Sequence, residues 1–449
     1  MANKIYLIGI GGEGMSGLAK VLRARGLEVS GSDIVTSRRT AELEGLGIEV
    51  KIGHREENLE RAGLAVFSSA IPRENVELAA ARRRGILALP RLEMVRRLLQ
   101  EREAIGVAGT HGKTTTTSMI AFLLEESGSD PSFLLGASCP ILGGNARWSE
   151  GRHLVAEIDE SDGHFTELAL DLAVITNIGV DHLNNYGSAA ALYRAFRRFA
   201  QRSGRLILSS DDGPSRRLHA ELGRRARTFG IEREADLMAA GIRQHQSNIY
   251  FKLIFRGEEV GEVSLPAPGR HNVYNALAAL LAGWELGLDF AEMAAALRKF
   301  TLPERRFQVL HRDGVMIVDD YAHLPEEIEA NLAAIRAGWQ PKRLIALFQP
   351  HRFTRLQYIN GRFARSFALA DFVIVTDIYP AGEPPIPGID AALLVRGLRR
   401  YGKSVQYIPQ HEEIVDHLRR ELSPGDFLIV LGAGDIWRVS RLLAAPPED

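Results

Sequence analysis

The stretch Gly-Thr-His-Gly-Lys-Thr-Thr-Thr-Thr at residues 109–117 limits what this chain can fold into more than any other. It follows an apolar run at 104–108 and precedes a helix-like run at 118–126, so it stands where a strand gives way to a helix. Glycine lets the backbone approach an anion, the N–H groups of a starting helix point at it, a lysine adds a cation, and a hydroxyl can hold Mg²⁺. Gly109, Thr110, Gly112, Lys113, Thr114 and Thr115 supply those parts. The match is to a short form of the loop, G-T-x-G-K-T, because the longer spacing asks for glycine where Val107 stands. A glycine- and threonine-rich turn that only caps a helix is the competing reading, and Gly-Lys-Thr at a strand–helix junction argues against it.

A second glycine turn opens the chain. The strand-like run at 4–10 ends in Gly9-Ile10-Gly11-Gly12-Glu13-Gly14, a helical stretch follows, and Asp33 comes after the next apolar run. The pattern resembles a dinucleotide fingerprint, yet it asks only for a diphosphate at a helix N-terminus. An NAD enzyme, or a nucleotide-binding protein that joins nothing, fits the residues at this point. Apolar runs at 48–52, 64–68 and 86–89 alternate with helix-like segments and extend this doubly wound α/β pattern to about residue 100.

After the charged segment Gln100-Glu101-Arg102-Glu103 a second series begins, with strands expected at 104–108, 153–158, 172–175 and 205–208. Beyond Asp236 the pattern turns to short alternating strands, at 249–255 and 262–265, which read as an antiparallel flap; helices are expected at 272–286 and 290–299. A third series places strands at 315–319, 343–348, 372–376, 404–408 and 427–431 and ends in Gly432-Ala433-Gly434-Asp435. Three α/β domains are therefore expected, at 1–100, 101–306 and 307–449, within what 449 residues can hold.

A formal net charge of −1 gives no reason to expect nucleic acid or an anionic membrane surface, and the clusters at 82–84 and 194–198 read as solvated helix faces. Cys139 is the only cysteine, which excludes an intrachain disulfide framework and a cysteine-based zinc site. The start MANKIYLIGIGG lacks a cleavable signal pattern, and no apolar run approaches the roughly 20 residues of a membrane span. The expectation is a cytoplasmic protein.

Around the phosphate loop, Thr114 and Glu157 offer the oxygen ligands a hard cation wants. Asp181-His182 ends a strand, where a histidine is as readily structural as functional, and Asp159, Glu160 and Asp162 can be a solvated acidic turn. In the third series Asp319-Asp320-Tyr321-Ala322-His323 and Gln349-Pro350-His351-Arg352-Phe353-Thr354-Arg355 close two strands, and in a parallel sheet they face one crevice. Arg352 and Arg355 can each grip a carboxylate in a two-pronged fork, or merely pair with surface acids.

Taken in order, GIGGEGMSG, SDI, SSAI, GTHGKTTT, EIDESD, TNIGVDH, HNVYNALAA, PERRF, DDYAH, FQPHRFTR, YPAGEPPIPG and LGAGD resemble the motif series of the Mur ligases, from Lys4 to Ile436. The resemblance implies a Rossmann-like UDP-sugar domain, a central P-loop ATPase-type domain and a Rossmann-like domain that closes over both. It implies an ATP-dependent carboxylate–amine ligase of peptidoglycan precursor synthesis that uses Mg²⁺ or Mn²⁺. FQPHRFTR and YPAGEPPIPG are similar to the branch whose partners are ATP, UDP-N-acetylmuramate and L-alanine, and FQPHRFTR argues against the branch that attaches whole peptides.

Carried over position by position, Gly11, Gly12, Gly14, Met15 and Ser16 fall where the UDP diphosphate is held, and Asp33, His54, Ser69 and Ala70 where the nucleotide and sugar are held. Lys113 serves the ATP phosphates; Thr114, Glu157 and His182 correspond to the metal site; Asn275 and Arg306 match adenine and phosphate contacts, and Asp319 a ribose or domain-closing contact. His351, Arg352 and Arg355 match the amino-acid site, and His323 or a neighbouring carboxylate is the candidate base. Three positions depart from the family's pattern. Arg197 stands where several members carry a carbamylated lysine, Leu324 precedes Pro325 where histidine is usual, and Asn184 replaces a common aspartate.

Overall fold

The computed structural model describes residues 4–161, 163–179, 183–312 and 314–445. Three sheets organise them, and each grows from an apolar run that the sequence places before a glycine- or acid-rich turn. The first comprises β1 (Lys4–Ile8), β2 (Glu28–Asp33), β3 (Glu49–Ile52), β4 (Leu64–Phe67) and β5 (Ala88–Pro90). Its order is β3-β2-β1-β4-β5, every pairing parallel. Parallel strands are covered by helices on both faces, which is why Ile5 to Ile8 are buried on both faces of the sheet. The order reverses beside β1, and the glycine turn that follows β1 lies at that switch point.

The second sheet contains β6 (Glu103–Ala108), β7 (Ser132–Cys139), β8 (Gly144–Arg147), β9 (His153–Glu157), β10 (Leu172–Ile175), β11 (Arg205–Ser209) and β12 (Ala226–Gly230). It continues through β13 (Leu237–His245), β14 (Asn248–Phe255) and β15 (Glu258–Leu265). The order is β15-β14-β13-β12-β11-β10-β6-β9-β7-β8. The strands expected as a flap lie in β13, β14 and β15, which prolong the central sheet beyond β12. Sequence periodicity left out β7, β8 and β12, whose small, glycine and polar residues (Gly136-Ala137-Ser138, Gly144-Asn145, Arg227-Thr228) break the apolar alternation. β6 lies between β10 and β9, so this sheet too reverses at the strand that precedes a phosphate loop.

The third sheet holds β16 (Gln308–Arg312), β17 (Val315–Asp320), β18 (Arg343–Phe348), β19 (Phe372–Val375), β20 (Ser404–Tyr407) and β21 (Asp426–Leu431). It is ordered β16-β17-β21-β18-β19-β20, with only β16 antiparallel to its neighbour among the pairs described. Apolar clusters cover both faces, Phe348 and Ile429 on one and Leu347 and Leu428 on the other.

By compactness the chain forms two units. One is Met1–Ala240 with Lys252–Val263 and Tyr274–Phe300; the other is Gly241–Phe251 with Ser264–Val273 and Thr301–Asp449. Within the first, one apolar cluster runs without a break from Ile5 to Ala226. Its seam is also polar: Asn145 of β8 donates to Glu13 O at 3.1 Å and Ser16 Oγ at 3.3 Å and accepts from Lys20 Nζ at 2.9 Å.

Candidate functional site

The loop after β6 is held open by backbone geometry. Gly109 and Gly112 have φ of +134° and +81°, values that side chains disfavour, and Gly112 starts the helix Lys113–Glu126. A Cβ on Gly109 would meet Thr176 Oγ1 at 2.2 Å, and one on Gly112 would meet Asn275 Oδ1 at 2.2 Å. The loop is pinned to the segment after β10, where Thr110 N donates to Asn177 O at 3.1 Å, His111 N to Asn177 Oδ1 at 3.1 Å, and Gly179 N to Thr110 Oγ1 at 2.8 Å. Thr116 Oγ1 donates to Asn275 Oδ1 at 3.3 Å, which brings the expected adenine contact Asn275 to the base of this loop.

Lys113 folds back over the turn. Its Nζ donates to Gly109 O at 2.6 Å and to Glu160 Oε1 at 3.0 Å, with Glu160 Oε2 at 2.9 Å. Burial alone would lower the pKa of this ammonium, but the carboxylates of Glu160, Asp159 and Glu157 outweigh it and the net shift is upward. Burial pushes the Glu160 carboxyl up to about 7 while Lys113 pulls it back. The reading of residues 159–162 as a solvated acidic turn therefore fails at Glu160, which is buried and ion-paired.

Glu157 ends β9 with its Oε2 accepting from Gly136 N at 2.8 Å, and Thr114 and Thr115 are buried in the first turn of the loop helix. An alcohol and a carboxylate form an all-oxygen donor set, which suits a small hard cation that keeps water and phosphate oxygens in its shell. Among the described residues no group of three or more His, Cys, Asp or Glu gathers at metal-binding distance. Asp162, Asp181 and His182 lie outside the described residues. Arg197 pairs with Glu221 at 2.8 Å on a half-exposed helix face.

At the first glycine turn, Gly9 N and Ile10 N donate to Ser32 O at 2.8 and 2.9 Å, and Gly11 N donates to Asp33 Oδ2 at 2.9 Å. Gly12 caps the helix Glu13–Ala24 without a side-chain bond. Met15 and Ser16 turn their side chains inward, the first into the apolar core and the second onto Glu13 O at 3.0 Å. Arg91 was not anticipated: a Cβ on Gly14 would lie 2.7 Å from its Nη1, so a guanidinium stands beside the helix start where an anion is expected. Ser69 and Ala70 are exposed after β4, and His54 Nδ1 lies 3.0 Å from Ser32 Oγ and 2.9 Å from Glu77 Oε2.

In the second unit, β17, β21 and β18 are in register, with Asp320, Leu431 and Phe348 level at their ends. Asp320 accepts from Phe307 N and Ala322 N at 2.6 and 2.7 Å. Asp319 is buried, with Arg305 Nε at 3.5 Å from Oδ2 and no hydrogen bond to either oxygen among the described residues. Burial, with Asp320 adding to it and Arg305 opposing, raises its carboxyl to about 6. Arg305, not singled out by sequence, is thus the charge partner here, while Arg306 lies over the Tyr321 ring at 5.2 Å.

The two stretches FQPHRFTR and YPAGEPPIPG meet. His351 and Tyr379 form a parallel bridge and stack at 5.7 Å, Arg352 N donates to Tyr379 O at 2.9 Å, and Thr354 Oγ1 donates to Glu383 Oε1 at 2.7 Å. Arg355 Nη1 donates to His351 Nδ1 at 2.9 Å, and burial, aided by His323 and the neighbouring arginines, drives the His351 pKa down to about 2. His351 is therefore a neutral acceptor. Arg352 carries φ +69° and its Nε is buried with no partner among the described residues, which leaves a donor that an anion would satisfy. His323 packs edge-on to His351 at 5.7 Å and its Nδ1 faces Tyr321 O at 3.0 Å, so Nδ1 carries the hydrogen and Nε2 of the neutral ring is the acceptor.

Three family models match the chain in sequence: the Mur ligase family catalytic domain at residues 4–103, the Mur ligase middle domain at 107–283, and the Mur ligase glutamate ligase domain at 305–434. The chain belongs to the Mur ligase family. Full-length relatives agree with that membership. The UDP-N-acetylmuramate–L-alanine ligases of Geotalea uraniireducens and Syntrophotalea carbinolica are 43% and 42% identical to it, covering 98% of this chain and 97% of their own. The crystal structure of the UDP-N-acetylmuramate–alanine ligase of Thermotoga maritima superposes with a TM-score of 0.86 at 31% identity, covering 98% of both chains. A murein peptide ligase of Psychrobacter arcticus shares the fold, with a TM-score of 0.73 at 22% identity, over 99% of this chain and 100% of its own.

As a Mur ligase this protein has its recognisable loops where the sequence placed them. The partners that act on those loops from elsewhere in the chain, Glu160, Arg91, Arg305 and Glu383, carried no motif of their own.

Proposed function

We propose that the protein is an ATP-dependent ligase that joins L-alanine to the lactyl carboxylate of UDP-N-acetylmuramate in peptidoglycan precursor synthesis. Identity of 43% over nearly the whole chain to an enzyme named for that reaction carries the reading. In it, residues 1–100 hold the UDP-sugar, 101–306 hold ATP, and 307–449 receive the amino acid and close on the others. No helix among the described residues is long and apolar enough to cross a membrane, and we place the enzyme in the cytoplasm.

The lactyl carboxylate attacks the γ-phosphorus of ATP, its new O–P bond replacing the bond to ADP, and an acyl phosphate results. The alanine amine then adds to the acyl carbon, and the tetrahedral intermediate expels phosphate as the amine loses its proton. The first step brings two anions together, and unit charges about 4 Å apart repel by about 4 kcal/mol at an effective dielectric near 20. Lys113 answers that charge from the loop, at the cost of leaving Glu160. Thr114 and Glu157, with His182 assigned by resemblance, would hold Mg²⁺ or Mn²⁺, which when bound adds positive charge beside the phosphates. Arg352 and Arg355 fix the alanine carboxylate, and His323 Nε2 accepts the amine proton.

The test is phosphate release with each component left out in turn. Release that requires UDP-N-acetylmuramate, L-alanine and Mg²⁺ together supports the reading; vigorous release without the sugar nucleotide refutes it. Substituting the tripeptide L-alanyl-γ-D-glutamyl-diaminopimelate for alanine separates it from peptide ligation.

A further inference from the structure

Glu77 is fully buried beneath the end of the first sheet that carries the glycine turn, and the scheme above does not use it. It lies in the first turn of the helix Val76–Arg83, where Asn75 accepts from its N–H at 2.9 Å. Five donors converge on its carboxylate. Tyr6 Oη at 2.9 Å, Asn58 Nδ2 at 2.7 Å and Arg55 N at 3.4 Å reach Oε1; Ser32 Oγ at 2.6 Å and His54 Nδ1 at 2.9 Å reach Oε2. The residues so gathered come from β1, the end of β2 and the turn after β3, the edge where an open α/β sheet takes its ligand.

The network decides the form of His54. Its Nδ1 has two neighbours, Glu77 Oε2 and Ser32 Oγ at 3.0 Å. A carboxylate already taking four other donors can only accept, and Ser32 gives its single hydroxyl hydrogen to that carboxylate, so Nδ1 must carry a hydrogen. In the neutral ring Nε2 is then an acceptor. The His54 side chain is 14% exposed, and Nε2 has no partner among the described residues. Two residues before His54, Ile52 is paired with Asp33 across β3 and β2, and Ile34 and Ile52 are 69% and 46% exposed at that end of the sheet. Exposed isoleucines at a polar strand end offer a flat base a place to lie.

We propose that Glu77 is a positioning residue of the nucleotide site: by holding the Nδ1 hydrogen of His54 it presents Nε2 as an acceptor beside Ile34 and Ile52, and the pocket selects a base that donates an N–H. Uracil has that donor at N3; cytosine presents a lone pair there instead. The inference rests on the first domain being the UDP-sugar site.

Binding of UDP and of CDP to the full-length protein, by calorimetry or displacement, tests it. Wild type should prefer UDP by roughly tenfold to a hundredfold, the worth of one hydrogen bond against a repelled lone pair. In Glu77→Gln the amide NH₂ donates to Nδ1 and moves the ring hydrogen to Nε2, so the preference should fall by about tenfold or more, with the loss larger in KM for the UDP-sugar than in kcat. Glu77→Asp, which keeps a carboxylate, should retain part of it. His54→Ala, at a partly exposed site, should abolish the preference and keeps the idea testable if Glu77→Gln does not fold. A wild-type UDP:CDP ratio in His54→Ala overturns the proposal, as does the same ratio in a folded Glu77→Gln. Failure of the unaltered protein to bind UDP at all overturns the UDP-sugar reading itself.

Discussion

The backbone N–H of Gly136 donates to Glu157 Oε2 at 2.8 Å across a gap that one methyl group would fill. A Cβ at Gly136 would stand 2.4 Å from Oε2 and 2.6 Å from Oε1. Gly136→Ala should therefore swing the carboxylate away from the position in which we propose it serves the cation. Turnover should fall at least about tenfold and the Mg²⁺ concentration for half-maximal rate should rise. Phosphate release titrated with Mg²⁺ measures both, and an unchanged Mg²⁺ dependence removes Glu157 from that role.

Lys113→Ala should reduce turnover at least about a hundredfold, because a preorganised charge at the transferring phosphate is lost. Binding of the UDP-sugar, which we propose the other glycine turn serves, should persist. The substitution also strands Glu160, and breaking one side of a buried pair costs about 3–5 kcal/mol. Glu160→Gln added to Lys113→Ala should recover most of the stability and none of the activity, which thermal melts and steady-state rates together will show.

Asp319 carries its raised pKa at a cost in stability. The carboxyl titrates about 6 in the folded chain against 3.8 ordinarily, so between those values the folded state binds more protons than the unfolded one. Stability from this group is present below about 4 and lost as pH rises through 6. Asp319→Asn should hence be more stable than wild type at pH 7.5 by at most about 3 kcal/mol. The loss of a partner for Arg305 reduces that gain, which should fade towards pH 4. Denaturation midpoints across this range check the sign, and turnover should fall at every pH.

Asn145 is 3% exposed and joins β8 to the helix Glu13–Ala24. Asn145→Leu removes two donors and an acceptor from the seam and should destabilise the first unit by about 1–3 kcal/mol. Because the same helix begins at the turn we propose for the UDP-sugar, KM for the UDP-sugar should rise more than KM for ATP. Equal rises would mean that the seam does not position that turn.

Much of this architecture is legible in the residues alone. The apolar runs before Gly9, Gly109, Asp319 and Gln349 become β1, β6, β17 and β18, since a strand buried on both faces must be continuously apolar. Runs that lack this signature, at β7, β8 and β12, were missed, and the flap proved to be an extension of the central sheet because alternation reports strands but not the sheet they join.

The sequence by itself determined the chemistry of each loop: glycine, lysine, threonine and arginine side by side act through neighbours a few residues away, and those neighbours are written next to them. Only the tertiary structure decided who stands opposite. Gly136 meets Glu157, Asn275 meets Gly112, Arg305 meets Asp319 and Glu77 meets His54 because, within each sheet and its covering helices, folding brings distant segments together. Such a partner needs to be an acid, an amide or an empty space at one point in the fold, and a lone residue of that kind makes no pattern along the chain.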